Sequence, residues 1–228
     1  MFYFDWTYLL IIPGLLLGMW AQAKVKGAYA EWSRVSTRLN RPACDVVNDL
    51  LHRNGNHKVR IFQTQGELTD HYDPSNETLK LSQGVYASSS VAALGIAAHE
   101  AGHAMQKHEG YAPLKLRTAV VPVVNIGSSL STPLFLAGII FAWEPLVNIG
   151  IVLFSLSVIF ALITLPVEFD ASNRAVRMLT EGGYVTGEEE RGVRKVLNAA
   201  ALTYVAAAVT SLLSLLRLLL IARRYDRD

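Results

Sequence analysis

The sequence predicts a mainly α-helical membrane protein with four transmembrane helices and a small α+β lobe that contains a short β-hairpin. Of the 228 residues, 51% are hydrophobic and 18% are charged, whereas an average soluble domain has roughly 25% charged residues. The uncharged residues gather in tracts that approach or exceed the roughly 20 residues needed to cross the hydrocarbon of a bilayer. One polar segment, residues 24–118, is long enough to fold into a lobe.

Four tracts are predicted to span the membrane: Trp6–Ala23, Val120–Trp143, Val147–Pro166 and Ala199–Ala222. The first lacks a basic leader and a cleavage site, which favours a signal anchor over a removed signal peptide. Only Glu144-Pro145-Leu146 separates the second from the third, so we expect a helical hairpin there. The fourth contains Arg217, which can snorkel to an interface, so this tract either crosses or lies along the surface. Buried helices of a soluble protein are the alternative, and the length of the tracts argues against it.

These tracts divide the chain into five predicted segments: 1–23, 24–118, 119–167, 168–198 and 199–228. Twelve Lys and Arg residues lie in Lys24–Arg117 and five in Glu168–Asn198. The excess of basic residues on the cytoplasmic side of membrane proteins predicts that both polar segments face the cytoplasm. The pair Arg223-Arg224 opposes this orientation, because four complete spans would leave it outside.

Within the polar lobe the elements follow from local patterns. Val25–Leu51 has helical spacing with a break at Arg41-Pro42. Val59–Phe62 is predicted as a strand. Residues 68–72 and 78–81 alternate around an Asp-Pro-Ser-Asn turn, which predicts a hairpin. Ser88, Ser89 and Ser90 offer N-caps to a helix that runs to Met105.

That last helix contains the motif His99-Glu100-Ala101-Gly102-His103. Histidines at positions i and i+4 project from one face of a helix and can share one zinc ion. Zinc lowers the pKa of a bound water to near 7, so Glu100 can take its proton while hydroxide attacks a peptide carbonyl. The small residues Ala101 and Gly102 allow a substrate or another backbone to approach the helix closely. A hairpin followed by such a helix is the order of a zincin-like catalytic lobe.

Glu168 is the predicted third ligand, since a catalytic zinc needs three protein ligands. Pro166 is predicted to start a helix on which Glu168 shares a face with Ser172, Ala175 and Leu179. A glutamate on a small, apolar face needs a partner, and helix capping is the alternative. Asp170 instead aligns with Arg174 and Arg177 as an exposed ion-pair row. The hairpin between His103 and Glu168 crosses the membrane twice, so both residues emerge on the same side.

The other histidines and the cysteine are less suited to a metal. His52 and His57 lie in a polar loop, and His108 follows His103 too closely. The single cysteine, Cys44, excludes an intrachain disulfide and a Cys-ligated zinc site. The net charge of +2 does not suggest a nucleic-acid partner.

The chain resembles the bacterial YugP-type neutral zinc metallopeptidases over nearly its whole length. The resemblance rests on five runs: Leu68–Pro74, Ala97–Ala104, Glu109–Leu114, Leu165–Ser172 and Lys195–Tyr204. It implies a peptidase of the bacterial cytoplasmic membrane with one Zn²⁺ per chain. The order of zinc helix, membrane hairpin and glutamate helix is also distantly similar to the HtpX-type gluzincins, which carry an Asp where this chain has Ser172. That departure leaves Ser172 and Asp170 as candidate partners of the zinc histidines.

Two further places in the sequence each have two interpretations. Asp70, His71 and Tyr72 either line a substrate groove or form a polar hairpin tip. Tyr204 either polarises the scissile carbonyl or serves as an interfacial aromatic.

The sequence therefore predicts a cytoplasm-facing zinc endopeptidase that acts on membrane proteins, misfolded proteins or peptides, in turnover or quality control. A site-2-type intramembrane protease is one alternative, although Val91–Ala98 is too short to cross before His99. A non-catalytic, zinc-stabilised scaffold or adaptor is the other, and Glu100 argues against it. A homo-oligomer and a membrane regulatory partner both remain open.

Overall fold

A computed structural model describes residues 6–225, which are mainly helical. The ends of the first and last predicted segments, residues 1–5 and 226–228, lie outside this described part. A 3₁₀-helix at Trp6–Leu10 precedes the first long helix. The remaining elements are α1 (Ile12–Trp32), α2 (Ala43–Arg53), β1 (Arg60–Thr64), β2 (His71–Asp73), β3 (Thr78–Ser82), α3 (Gln83–Tyr86), α4 (Val91–His108), α5 (Ala112–Ile140), α6 (Glu144–Glu181) and α7 (Glu188–Tyr225).

The chain divides into two compact units, which we call the membrane unit and the polar unit. Of the described residues, the membrane unit comprises 6–21, 116–165 and 203–225, and the polar unit comprises 22–115 and 166–202. Helices α1, α5, α6 and α7 each contribute residues to both.

Four helical segments are long and apolar enough to cross a membrane: Trp6–Trp32, Ala112–Ile140, Glu144–Glu181 and Glu188–Arg224. The prediction of four membrane helices is therefore confirmed on length and composition. Large apolar side chains remain exposed on the membrane unit, among them Met19 at 70% and Ile140 at 75%. Large apolar side chains exposed on helices of this length are what lipid, rather than water, would cover.

The turn between α5 and α6 differs from the prediction. The turn lies at Phe141–Trp143, with Ala142 in the left-handed region at φ 52°, and α6 already begins at Glu144. Glu144 and Pro145 suit the first turn of a helix, because an acidic side chain complements the helix dipole and proline needs no N–H partner there. A Cβ on Gly138 would lie 2.5 Å from the backbone nitrogen of Val147, so glycine permits the close hairpin.

The prediction that Pro166 starts a new helix is wrong. Helix α6 runs without interruption from Glu144 to Glu181, with Pro166 in its interior. Proline removes one backbone hydrogen bond from a helix, and such interruptions are tolerated at membrane depth when neighbouring groups satisfy the freed carbonyl. The membrane tract and the Glu168 segment are consequently one continuous helix.

The arginines near the C-terminal end of α7 contact aromatic residues at the start of the chain. The guanidinium of Arg217 lies 4.0 Å from the ring centroid of Tyr8, and Arg224 lies 5.2 Å from that of Trp6. Arg217 also donates a hydrogen bond to Thr7. Cation–π pairing of this kind stabilises a positive charge at the end of a membrane helix.

The polar unit is built around a three-stranded sheet with the strand order β1-β3-β2. Strand β2 pairs with β3 in antiparallel fashion, as the predicted hairpin requires, and β1 adds to β3 in parallel. Leu79 and Leu81 of β3 are fully buried against a core that includes Leu50 of α2 and Leu94 of α4. Helix α4, which carries both motif histidines, is thus a central element of this core.

Candidate metal centre

Helix α4 presents His99 and His103 on one face. Its N-terminus is capped by Ser90, whose hydroxyl accepts a hydrogen bond from the amide of Ala93 at 3.2 Å. The alanines and glycines of the helix are buried, so the neighbouring elements pack closely against it. The two imidazole rings lie one helical turn apart with centroids separated by 4.7 Å.

Glu168 of α6 meets both histidines. Its Oε2 lies 3.3 Å from His99 Nε2 and 3.5 Å from His103 Nε2. Only 2% of Glu168 is exposed, and the side chains of the two histidines are 15% and 12% exposed. One ligand atom from each of the three residues lies within 4.8 Å of the others, so the group could hold a metal ion.

The spacing of these atoms fits zinc. Donor atoms at about 2.0–2.1 Å from a tetrahedral zinc are separated from one another by about 3.3 Å. The two contacts of Glu168, at 3.3 and 3.5 Å, agree with this separation. Two imidazoles and one carboxylate also form a donor set that catalytic zinc uses while leaving one position for water.

Close approach of the helices makes this grouping possible. A Cβ on Gly102 would lie 2.5 Å from the carbonyl oxygen of Ala171. Glycine in the middle of the motif therefore lets the backbone of α6 pack directly onto α4, next to Glu168.

The electrostatics of the centre favour an ionised carboxylate. Burial alone would raise the pKa of Glu168, but hydrogen bonding and charge from His103 and His99 hold it well below its usual value. Burial opposes the charged form of His103, while its contact with Glu168 and the nearby charge of Glu100 raise its pKa overall. A metal cation would replace the imidazolium in balancing the buried carboxylate.

The Nδ1 atoms of both histidines have partners on the side away from Glu168. Ser172 Oγ lies 3.2 Å from Nδ1 of His99, and Gln106 Oε1 lies 3.0 Å from Nδ1 of His103. Hydrogen bonds at this position orient metal-binding histidines. The sequence singled out Ser172 but missed Gln106, although a glutamine three residues after His103 lies on the same helical face.

The interpretation of Asp170 and the arginines as an exposed row is wrong in part. Asp170 does pair with Arg174, at 2.6 Å, but the Arg174 side chain is only 13% exposed. Arg174 also contacts Glu109 at 2.5 Å, and Asp170 accepts a hydrogen bond from buried Gln106 at 2.8 Å. Packing of α4 against α6 covers these groups, which helical spacing within α6 alone does not reveal.

Glu100 is partly buried and lies outside the three-residue group. Its carboxylate is close enough to His103 and Asp70 to influence both. Asp70 accepts hydrogen bonds from the backbone and hydroxyl of Ser82 at 2.8 and 3.1 Å. Burial, and to a lesser extent the charge of Glu100, outweighs these donors and raises the pKa of Asp70.

The remaining candidates are not members of the three-residue group. His71 is exposed on β2, with Nδ1 2.8 Å from the carbonyl oxygen of Thr69. Tyr72 is half-buried, and burial together with Glu77 and Asp73 raises its pKa to about 12. Tyr204 belongs to the α7 portion of the membrane unit. His52, His57 and His108 are exposed.

The class is defined by two features: four helices that are long and apolar enough to cross a membrane, and a His-His-Glu group that could hold a metal ion. A family model described as "Putative neutral zinc metallopeptidase" matches residues 7–223, and the chain belongs to this family. It is 45% identical over 212 residues to the "Putative membrane protease YugP" of Bacillus subtilis (strain 168), covering 93% of this chain and 94% of that protein. No solved structure matches the chain.

Proposed function

We propose that this protein is a membrane-bound, zinc-dependent endopeptidase of the gluzincin type. His99, His103 and Glu168 would hold one zinc ion, and Glu100 would act as general base. The observation that carries the proposal is the convergence of two Nε2 atoms on one buried carboxylate, at 3.3 and 3.5 Å. The family name and the name of the Bacillus relative support the same reaction class.

A bound zinc would supply a Lewis acid that acidifies a water molecule and polarises the scissile carbonyl. The proton transfers of the reaction would fall to a residue of the chain itself. Glu100 would accept the proton of the attacking water on its carboxylate and later deliver it to the departing amine. Its position next to His99 in the helix, outside the ligand group, suits a base that does not bind the metal.

We further propose that the substrate lies along β2. This strand is at the edge of the sheet, so its outer side can pair with an extended peptide. His71 and Tyr72 are on this strand, and Asp70 at its start is near Glu100. The high pKa of Tyr72 keeps its hydroxyl protonated and able to donate to a peptide carbonyl.

Protein and peptide chains would be the substrates, and turnover or quality control in the bacterial cytoplasmic membrane would be the physiological role. The excess of basic residues in both polar segments favours an active site that faces the cytoplasm. A site-2-type protease would need the metal helix to span the bilayer. Helix α4 instead packs in the core of the polar unit and starts at a capped N-terminus.

The decisive experiment uses detergent-purified wild type and the variant Glu100→Gln with an unfolded reporter protein. We expect the variant to retain one zinc per chain and to lose on the order of 10²–10⁴-fold in cleavage rate, the usual contribution of a general base. A chelator should stop the wild type, and added zinc should restore it. The exposed residue Glu67→Gln provides the matched control.

Cleavage at the wild-type rate by Glu100→Gln would disprove the role of Glu100. One zinc per chain without cleavage of any unfolded substrate by the wild type would favour the zinc-stabilised scaffold instead.

A further inference from the structure

We infer that Gln106 is a positioning residue of the metal centre, whose side-chain oxygen fixes the ring orientation and tautomer of His103. This inference rests on the proposed zinc site but assigns a role to a residue that is neither ligand nor base. Gln106 is fully buried, and a buried amide in a helix core is costly unless its polar atoms are all satisfied.

The orientation of the Gln106 amide follows from its partners. Its Nε2 lies 2.8 Å from the carbonyl oxygen of Val167 and 2.8 Å from Oδ2 of Asp170. Both partners are acceptors, so the amide nitrogen must face them. The opposite orientation would place the amide oxygen against two other oxygens.

This orientation determines which nitrogen of His103 carries hydrogen. Gln106 Oε1 lies 3.0 Å from His103 Nδ1, and an amide oxygen can only accept. Nδ1 must therefore donate, which leaves the lone pair of a neutral imidazole on Nε2. Nε2 is the atom 3.5 Å from Glu168 Oε2, so the nitrogen left for a metal is the one that faces the third ligand.

Gln106 is held from α6, the helix that carries Glu168. Asp170 is fixed by Arg174 Nε at 2.6 Å, and Arg174 in turn contacts Glu109 at 2.5 Å. The Gln106 amide therefore links the ring orientation of His103, on α4, to α6, the helix that carries Glu168. The partner of His99 is different, because the Ser172 hydroxyl can either donate or accept.

Two substitutions of Gln106 test whether the side-chain oxygen, which accepts from His103, matters more for zinc binding than the amide nitrogen, which donates to Val167 and Asp170. Gln106→Met keeps the side-chain length but removes both functions. Gln106→Glu keeps an oxygen toward His103 in either protonation state, but it places a second oxygen near Val167 O and Asp170. Gln63→Met, at an exposed position on β1, is the matched control.

We expect zinc affinity, measured by competition with a chromophoric chelator, to fall 10–100-fold in Gln106→Met, the range found when such partners of metal-binding histidines are removed. Gln106→Glu should stay within a few-fold of the wild type in zinc affinity and have a lower Tm. Equal zinc affinity of Gln106→Met and wild type, or an equal loss in both variants, would overturn the inference.

A measurement on the unaltered protein guards against misfolding of the variants. In the zinc-loaded wild type, ¹⁵N NMR of the histidines should show His103 bound to metal through Nε2 with its proton on Nδ1. Metal on Nδ1 of His103 would overturn the role of Gln106. Absence of zinc from the wild type would instead refute the proposed function itself.

Discussion

At the scale of single residues, Ser172 occupies the position that sets the ring of His99. We predict that Ser172→Ala weakens zinc binding by about tenfold, because Nδ1 of His99 loses its partner at 3.2 Å. Ser172→Asp should bind zinc at least as tightly as the wild type, since a carboxylate is a stronger acceptor for the imidazole N–H. Chelator competition measures both, and Ser33→Ala, at a partly exposed position on another segment, is the control. Unchanged affinity in Ser172→Ala would show that packing alone orients His99.

Asp70 gives a prediction about pH. Burial raises its pKa in the folded protein, so ionising Asp70 costs stability; this cost is absent below the unfolded-state pKa and is complete once the pH has risen through the folded-state pKa. Asp70→Asn should therefore raise the Tm at pH 8, with a gain that shrinks as the pH falls through that raised pKa. Asp73→Asn should act in the opposite direction, because Asn76 and Ser75 hold the pKa of Asp73 low. Thermal unfolding at several pH values in one detergent tests both signs, and a Tm gain that grows toward low pH would contradict the first.

At the scale of elements, the packing of α4 on α6 depends on Gly102. Gly102→Ala should destabilise the protein by about 1–3 kcal/mol, because the new methyl group would meet the Ala171 carbonyl at 2.5 Å. It should also weaken zinc binding, since Ala171 lies between Glu168 and Ser172. Gly95→Ala on the same helix is the control, because its nearest contact would be an ordinary 3.4 Å from Val193. The measurements are the Tm and the zinc affinity of the two variants. Equal values for Gly102→Ala and Gly95→Ala would mean that α6 moves away from the new methyl group without a cost in stability.

The parts of the fold and site that depend on local sequence could be predicted, whereas those that depend on contacts between distant segments could not. The His99–His103 spacing and the hairpin turn are local, and Glu168 could be found because helical periodicity places it on an apolar face. Gln106 could not, because its partners Val167 and Asp170 lie 61 and 64 residues away. Pro166 was misassigned because a proline that starts a helix and one inside a membrane helix have the same local pattern. The parallel pairing of β1 with β3 was likewise absent from the prediction, since no turn joins those strands directly.

At the scale of the whole molecule, a shared metal site requires both polar segments to lie on the same side of the membrane. The motif on α4 and Glu168 on α6 are separated by the α5–α6 hairpin, so they share a metal only if that hairpin crosses the bilayer an even number of times. The basic residues of both polar segments then predict that these segments face the cytoplasm, with the turn at Phe141–Trp143 on the other side. The basic residues at the end of α7 oppose this orientation, and two of them, Arg217 and Arg224, lie against the aromatic rings of Tyr8 and Trp6.

Labelling of single cysteines tests this topology. In a Cys44→Ser background, Ser75→Cys probes the β2–β3 turn, Glu144→Cys the hairpin and Glu181→Cys the end of α6, all at exposed positions. A membrane-impermeant maleimide should label position 144 in intact spheroplasts, and positions 75 and 181 only after permeabilisation. Labelling of 75 and 181 from outside would reverse the orientation but leave the shared site intact. Opposite accessibility of 75 and 181 would place His103 and Glu168 on different sides of the bilayer, where they cannot hold one zinc ion.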